Sequence, residues 1–312
     1  MRAAGSIEAT SSGGELHRGL RLRVVVALAV IFLRTAAAQA QPVVTSLAGC
    51  AKIAKSGIYS LDAPTVNAAP GDCIIITAAN VVLNLNGATL TGGGSGVGVH
   101  VASSASNAFI EGRGALISNF TDGIEIDSTK AVVENFTTTA NIDAGLFLKS
   151  ASQAAISNFS ANANSNDGVR ISKGSYNTVT GSVSATSNGR YGIWLSATNH
   201  NNIGGFLVED NAVAGVYVGC SPNGPLVAPC KPAVPVSKYN LIFDGRVQAS
   251  TNLSQTYGVV VDMGNDSNRI TNVSSPTPFE QYDLDDENHE CAHNAWFGHG
   301  VIFSASPADC IH

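Results

Sequence analysis

One four-residue pattern recurs along most of this chain: glycine, an apolar residue, any residue, an apolar residue. It stands at Gly98-Val99-His100-Val101, Gly123-Ile124-Glu125-Ile126, Gly145-Leu146-Phe147-Leu148 and Gly168-Val169-Arg170-Ile171. It continues at Gly192-Ile193-Trp194-Leu195, Gly215-Val216-Tyr217-Val218 and Gly258-Val259-Val260-Val261. Successive glycines are 25, 22, 23, 24, 23 and 43 residues apart. A period in this range marks a chain built of stacked repeats. The frame extends one step each way, to Cys73-Ile74-Ile75-Ile76 and Gln281-Tyr282-Asp283-Leu284, which makes nine rungs.

Within each tetrapeptide the apolar residues alternate with the middle one, the period of a strand. The two apolar side chains point one way and the middle one points the other. A unit of this length is too short for strand, crossover helix and second strand. Asparagines recur four residues before the glycine, at Asn119, Asn141, Asn164, Asn188 and Asn211. Another column follows it by nine or ten residues, at Asn107, Asn177, Asn201 and Asn268. Asparagine accepts left-handed backbone and bonds neighbouring main chain, so both columns mark turns, and stacked turns allow amide ladders from coil to coil. The expected fold is all-β: a single-stranded right-handed parallel β-helix of about nine coils, with caps at both ends. The handedness follows from the strong preference of parallel crossovers.

The run Val82-Leu83-Asn84-Leu85-Asn86-Gly87-Ala88-Thr89-Leu90-Thr91-Gly92, followed by the glycine rungs, resembles the right-handed parallel β-helix proteins of the pectin-lyase-like superfamily. The resemblance covers roughly residues 70–285. It implies the fold, and a superfamily of lyases, glycoside hydrolases, epimerases and adhesins; it does not select one activity.

Residues 1–40 read as a leader. Arg18, Arg21 and Arg23 precede the apolar stretch Val24–Leu33, and Thr35–Gln41 is a small-residue cleavage pattern. This is the layout of a secretory signal peptide cut after Ala38 or Ala40, so the mature chain is expected to be secreted or periplasmic, with no membrane attachment. Residues 41–312 form one expected domain and one expected monomer, with caps at 41–71 and 286–312. A short strand is expected at Gly57–Leu61, and Trp296, Phe297 and Phe303 are expected to cover the last coil. The six cysteines lie in this domain, an even count that suits disulfides outside the cytoplasm. Their positions favour Cys50–Cys73, Cys220–Cys230 and Cys291–Cys310. The proline-rich segment 220–238 accounts for the 43-residue interval as an inserted loop. Net charge is −6 with no basic patch, which argues against a nucleic-acid partner.

The middle residues of the rungs read Ile75, His100, Glu125, Phe147, Arg170, Trp194, Tyr217, Val260 and Asp283. On a solvent face, Phe147, Trp194 and Tyr217 would form a row of flat plates, with Arg170 and Lys149 as cations for a uronate carboxylate. The expected substrate-binding set is Phe147, Lys149, Arg170, Trp194 and Tyr217, and the expected partner is an acidic polysaccharide. The neighbouring columns add Asp122, Asp127, Asp143 and Asp167, giving a polar cluster with His100, Glu125 and Arg170 as its centre.

Three chemistries use such residues. A hydrolase needs paired carboxyls such as Glu125 and Asp127. A uronate lyase or epimerase needs a cation, Arg170 or Lys149, and a base, His100 or Tyr191. Calcium could replace that cation, on Asp122, Glu125 and Asp127; no other metal site is expected. The catalytic candidates are therefore Glu125, Asp127, Arg170 and His100. The alternative is a structural or adhesive β-helix that catalyses nothing.

Overall fold

In a computed structural model each tetrapeptide forms one strand, and each strand pairs in parallel with its copy on the next coil. The structure describes residues 43–220, 236–250, 255–277, 279, 282–291, 293–300, 304–307 and 311. The expected leader, most of the proline-rich insertion, Phe303, Cys230 and Cys310 lie outside them. Pro42–His312 is one unit.

Two parallel sheets wrap a single core. The first has eleven strands: Ala51–Ile53, Ile74–Ile76, Val97–Val101, Asp122–Ile126, Ala144–Lys149, Asp167–Ser172, Tyr191–Ser196, Ala214–Val218, Tyr257–Val261, Tyr282–Asp286 and Ala305–Ser306. The second has fourteen, several of them long and bent. Asn135, Asn158 and Ser182 take left-handed φ of 63°, 49° and 61° within those strands. A left-handed residue turns the chain sharply, so each long strand folds into two legs around the core. The fold is the expected parallel β-solenoid.

The flanking residues of the tetrapeptides, Val99 and Val101 through Val259 and Val261, are fully buried in that core. The leading glycines are there because coils approach too closely for a side chain. A Cβ at Gly123 would lie 2.6 Å from the carbonyl oxygen of Gly145, and one at Gly168 would lie 2.7 Å from that of Gly192.

Both ends carry more coil than expected. Ala51–Ile53 pairs with Ile74–Ile76, so the 41–71 segment supplies a further rung; the strand at Gly57–Leu61 is present. Ala295–Phe297 and Ala305–Ser306 continue the two sheets within 286–312. At the last expected rung the frame shifts by two residues. Val259 pairs with Leu284 and Val260 with Asp285, so Asp285, not Asp283, holds the outward middle position, and Asp283 stands opposite Gly258.

Cys50 and Cys73 occupy successive positions of the glycine column and form a disulfide with Cα atoms 4.4 Å apart. Cys220 and Cys291 are each disulfide-bonded; their expected partners fall outside the described residues.

The asparagine columns need correction by one position at their N-terminal ends. The first ladder runs Asn141, Asn164, Asn188, Asn211 and then Gln255, all buried. The side-chain oxygens of Asn164, Asn188 and Asn211 each accept from both the backbone and the side-chain N–H of the preceding asparagine, as in Asn141 to Asn164 at 3.1 and 2.9 Å; Gln255 accepts the Asn211 backbone N–H. Phe120, not Asn119, precedes Asn141 in it, since the Phe120 N–H donates to Asn141. The second ladder runs Asn177, Asn201, Asn240, Asn268 and Asn294. Asn107 and Asn119 stand on left-handed turn positions outside these ladders.

Candidate functional site

The outward column of the eleven-stranded sheet changes character along the solenoid. His100, Glu125, Phe147 and Arg170 are register partners on adjacent strands, followed by Trp194, Tyr217 and Val260. The first four build a charged site. The last three do not stay in water.

Trp194 is 7% exposed and Tyr217 is 0% exposed. With Tyr191, Ala214, Tyr257 and Val260 they form a second apolar cluster, on the outside of the sheet. The Trp194 indole N–H donates to the Gly219 carbonyl at 2.8 Å, and the Tyr217 hydroxyl donates to Asp262 at 2.5 Å. Tyr191 stacks on Tyr217 with centroids 4.5 Å apart. The expected row of open plates is therefore not present, because two neighbouring outward columns are apolar on the same three strands and close over each other. Tyr191, one of the candidate bases, is buried within the cluster.

The charged site divides into two linked groups. In the first, His100 Nδ1 lies 3.2 Å from Asp72, and its Nε2 lies 3.4 Å from Asp127 and 3.9 Å from Glu125. The Lys149 ammonium donates to Glu125 at 2.9 Å. That hydrogen bond is the main cause raising the Lys149 pKa. Glu125 is buried, while Lys149 is half exposed. One oxygen of Asp127 is buried with no hydrogen-bond partner.

Arg170 centres the second group. It donates to both oxygens of Asp143, at 3.1 and 2.6 Å, and lies 3.7 Å from both Asp122 and Asp167. Its guanidinium sits 4.0 Å over the Phe147 ring, a stacked arrangement that holds its plane. Arg190 makes a forked pair with the fully buried Asp167, at 3.0 and 2.6 Å. Burial pushes the Asp122 carboxyl up to about 6, helped by Asp143 and opposed by Arg170 and the Ala144 N–H. Asp167 is also raised by burial, with Arg190 pulling it back.

All four catalytic candidates, His100, Glu125, Asp127 and Arg170, thus lie on one face with Phe147 and Lys149. Asp72 and Arg190 escaped the sequence reading. Their only signal was a place just ahead of a rung, Asp72 two residues before Ile74 and Arg190 three before Ile193. The calcium set needs a change as well. Asp122 accepts from Ala144 N–H and faces Arg170, while His100 joins Glu125 and Asp127. The ligand atoms of those three lie within 4.8 Å of one another. An imidazole in the set suits a transition ion better than calcium, which takes oxygen ligands.

A family model described as periplasmic copper-binding protein (NosD) matches residues 44–219, over half the chain. No curated protein matches. Among solved structures the chain is similar to the Dettilon tailspike protein, at 11% identity and TM-score 0.55, covering 75% of this chain and 55% of that one. It is also similar to the enzymatically active domain of bacteriophage CBA120 tailspike protein 2, at 12% identity and TM-score 0.56, covering 75% and 38%. The mannuronan C-5 epimerase AlgE6 A-module of Azotobacter vinelandii aligns at 12% identity and TM-score 0.48, covering 85% and 89%. The chain spans 55% or less of the length of the two tailspike chains.

Proposed function

The chain belongs to the periplasmic copper-binding protein (NosD) family, and we propose that it is a polysaccharide-directed β-helix that works through the charged outer face of its eleven-stranded sheet. The location is periplasmic, in keeping with the family description and the Cys50–Cys73 disulfide. Among the described residues no helix is long and apolar enough to cross a membrane.

One observation carries the reading. In a chain with 13% charged residues, six adjacent strands and their flanks bring together Asp72, His100, Asp122, Glu125, Asp127, Asp143, Lys149, Asp167, Arg170 and Arg190. Most are half-buried or buried, which costs free energy for charged groups and needs compensation. Asp122 titrates near neutrality and can give or take a proton there, the property acid–base catalysis needs. Glu125 and Asp127 supply further carboxyls for hydrolysis of a glycosidic bond. In a lyase or epimerase reaction Arg170 holds the uronate carboxylate, displacing Asp143, and His100 takes the C5 proton. An acidic polysaccharide is the substrate class this set fits.

The experiment is a panel of polyuronates and neutral glycans. Binding would be followed by affinity electrophoresis, and turnover by ultraviolet absorbance of unsaturated ends, reducing ends and proton NMR. Glu125→Gln and Asp122→Asn should lose turnover and keep the fold. A wild-type protein that neither binds nor alters any member refutes the proposal.

The donor set of His100, Glu125 and Asp127 supports a second reading, metal binding in the sense of the family's description. Nitrogen and oxygen donors fit a divalent copper ion, not the sulfur-seeking monovalent one, and the free oxygen of Asp127 is a ligand position already desolvated. Copper(II) titration followed by electron paramagnetic resonance tests it: an imidazole-nitrogen signal lost in His100→Ala supports the site, and an unchanged signal removes it.

A further inference from the structure

The turns that follow eight strands of the eleven-stranded sheet, from Ile74–Ile76 to Tyr257–Val261, share a position in left-handed backbone. Over consecutive coils it is filled by Asn80, Asn107, Lys130, Gln153, Tyr176, His200, Tyr239 and Ser267, each with φ between 55° and 58°. Asparagine and histidine suit that conformation, whereas tyrosine is out of place in it. Yet three successive coils carry Tyr176, His200 and Tyr239. Their rings stack along the solenoid, with centroids 4.8 and 5.0 Å apart and planes 16° and 29° from parallel. The rings are not covered: Tyr176 is 58% exposed, Tyr239 is 55% exposed, and His200 is exposed too.

The surroundings are basic in a chain of net charge −6. Lys130 stands two coils before Tyr176 in the same column, Lys173 three residues before Tyr176, and Lys238 next to Tyr239. Lys238 pairs with Asp266. Lys130 and Lys173 are exposed and, among the described residues, have no ion pair. The turn therefore offers rings with polar tips at coil spacing, about 4.8 Å, and cations with no anion beside them. On the sheet face, by contrast, Lys149, Arg170 and Arg190 are all engaged by carboxylates.

We propose that this aromatic ladder is a second glycan-binding surface, on which an acidic polysaccharide strand lies along the solenoid axis. Successive sugars meet Tyr176, His200 and Tyr239, whose hydroxyls and ring nitrogens bond sugar hydroxyls, and Lys130 and Lys173 pair with uronate carboxylates. The class of ligand rests on the polysaccharide reading above; none of the sheet-face residues takes part. The ladder holds the chain, and the charged face of the preceding coils meets the next stretch of it.

The test uses Tyr176→Asn/Tyr239→Asn, which installs the residue that Asn80 and Asn107 already supply in this column. Affinity for polygalacturonate and for alginate, with dextran as the neutral control, is measured beside the thermal midpoint. The expected result is a polyuronate affinity lower by at least about tenfold, roughly 1.4 kcal/mol, with the midpoint unchanged or raised. Lys173→Ala should weaken polyuronate binding and leave dextran alone. Wild-type affinity in the double variant overturns the ladder, and a fallen midpoint with intact affinity shows that the rings serve only to hold coils together. If Glu125→Gln loses binding while the tyrosine variant keeps it, the sheet face stands and the ladder falls. A wild type that binds no polyuronate removes both.

Discussion

Asn164→Ala is the sharpest probe of what holds the coils in register. Asn164 is 1% exposed. Its side-chain oxygen accepts from the Asn141 backbone N–H at 3.1 Å and from the Asn141 side-chain N–H at 2.9 Å. Its own side-chain N–H donates to Asn188 at 3.0 Å. Truncation removes all three bonds. Asn188 keeps the Asn164 backbone N–H, and the Asn141 side chain keeps a long bond to the Ile117 carbonyl at 3.4 Å. The Asn141 backbone N–H, buried, is left without its acceptor. One orphaned buried donor costs about 1–3 kcal/mol, and the net loss of satisfied bonds adds roughly 0.5–1.5 kcal/mol each. The expected destabilisation is about 3 kcal/mol, read as a shift in the urea midpoint by far-ultraviolet circular dichroism. Asn119→Gly is the control: Asn119 lies outside the ladder, in a left-handed conformation that glycine adopts freely. It gives up only the bond from its side-chain N–H to the Gly92 carbonyl, at 2.6 Å, and should cost about 1 kcal/mol. Equal losses at the two positions, or none at Asn164, would show that the amide ladder is decoration on coils held by the core alone.

Three further outcomes follow from the same structure. The Asp122 carboxyl titrates at about 6 when folded against 3.8 unfolded, so the folded state binds the extra proton in that window and stability falls as pH rises through it. Asp122→Asn, which keeps the acceptor for Ala144, should gain up to about 3 kcal/mol near pH 8 and nothing near pH 4; urea melts at the two pH values decide it. Cys50→Ser/Cys73→Ser opens a loop of 23 residues' separation, worth about 3 kcal/mol of chain entropy, and hydrogen exchange should report the loss mainly in the first two coils, as expected for neighbour-coupled repeats. Trp194→Ala should cost about 3–5 kcal/mol as a core deletion does; a stability change near zero would mean that the outer cluster is not a packed one.

The sequence by itself determined the solenoid. A fixed repeat with two-residue alternation states which side chains enter the core, and every flanking residue from Val99 to Val261 obeys it. It also brought His100, Glu125, Asp127 and Arg170 to one face, since the same residue of each rung must land on the neighbouring strand. Alternation, however, sets only the side of the sheet, not whether that side is wet. Trp194 and Tyr217 point outward as expected and are buried all the same, because Tyr191, Ala214, Tyr257 and Val260, the other outward residues of the same three strands, pack over them. Counting from the glycine also misplaced Asn107 and Asn119 by one residue, where an unequal turn breaks the frame, and the two-residue shift at Asp285 has the same cause. The Tyr176–His200–Tyr239 column was legible as the residue before each ladder asparagine, but the insertion between His200 and Tyr239 hid its period. Which charges pair, which rings stack and which carboxyl is forced towards neutrality depend on side chains brought together from coils more than twenty residues apart. Only the register of the folded sheets decides those distances.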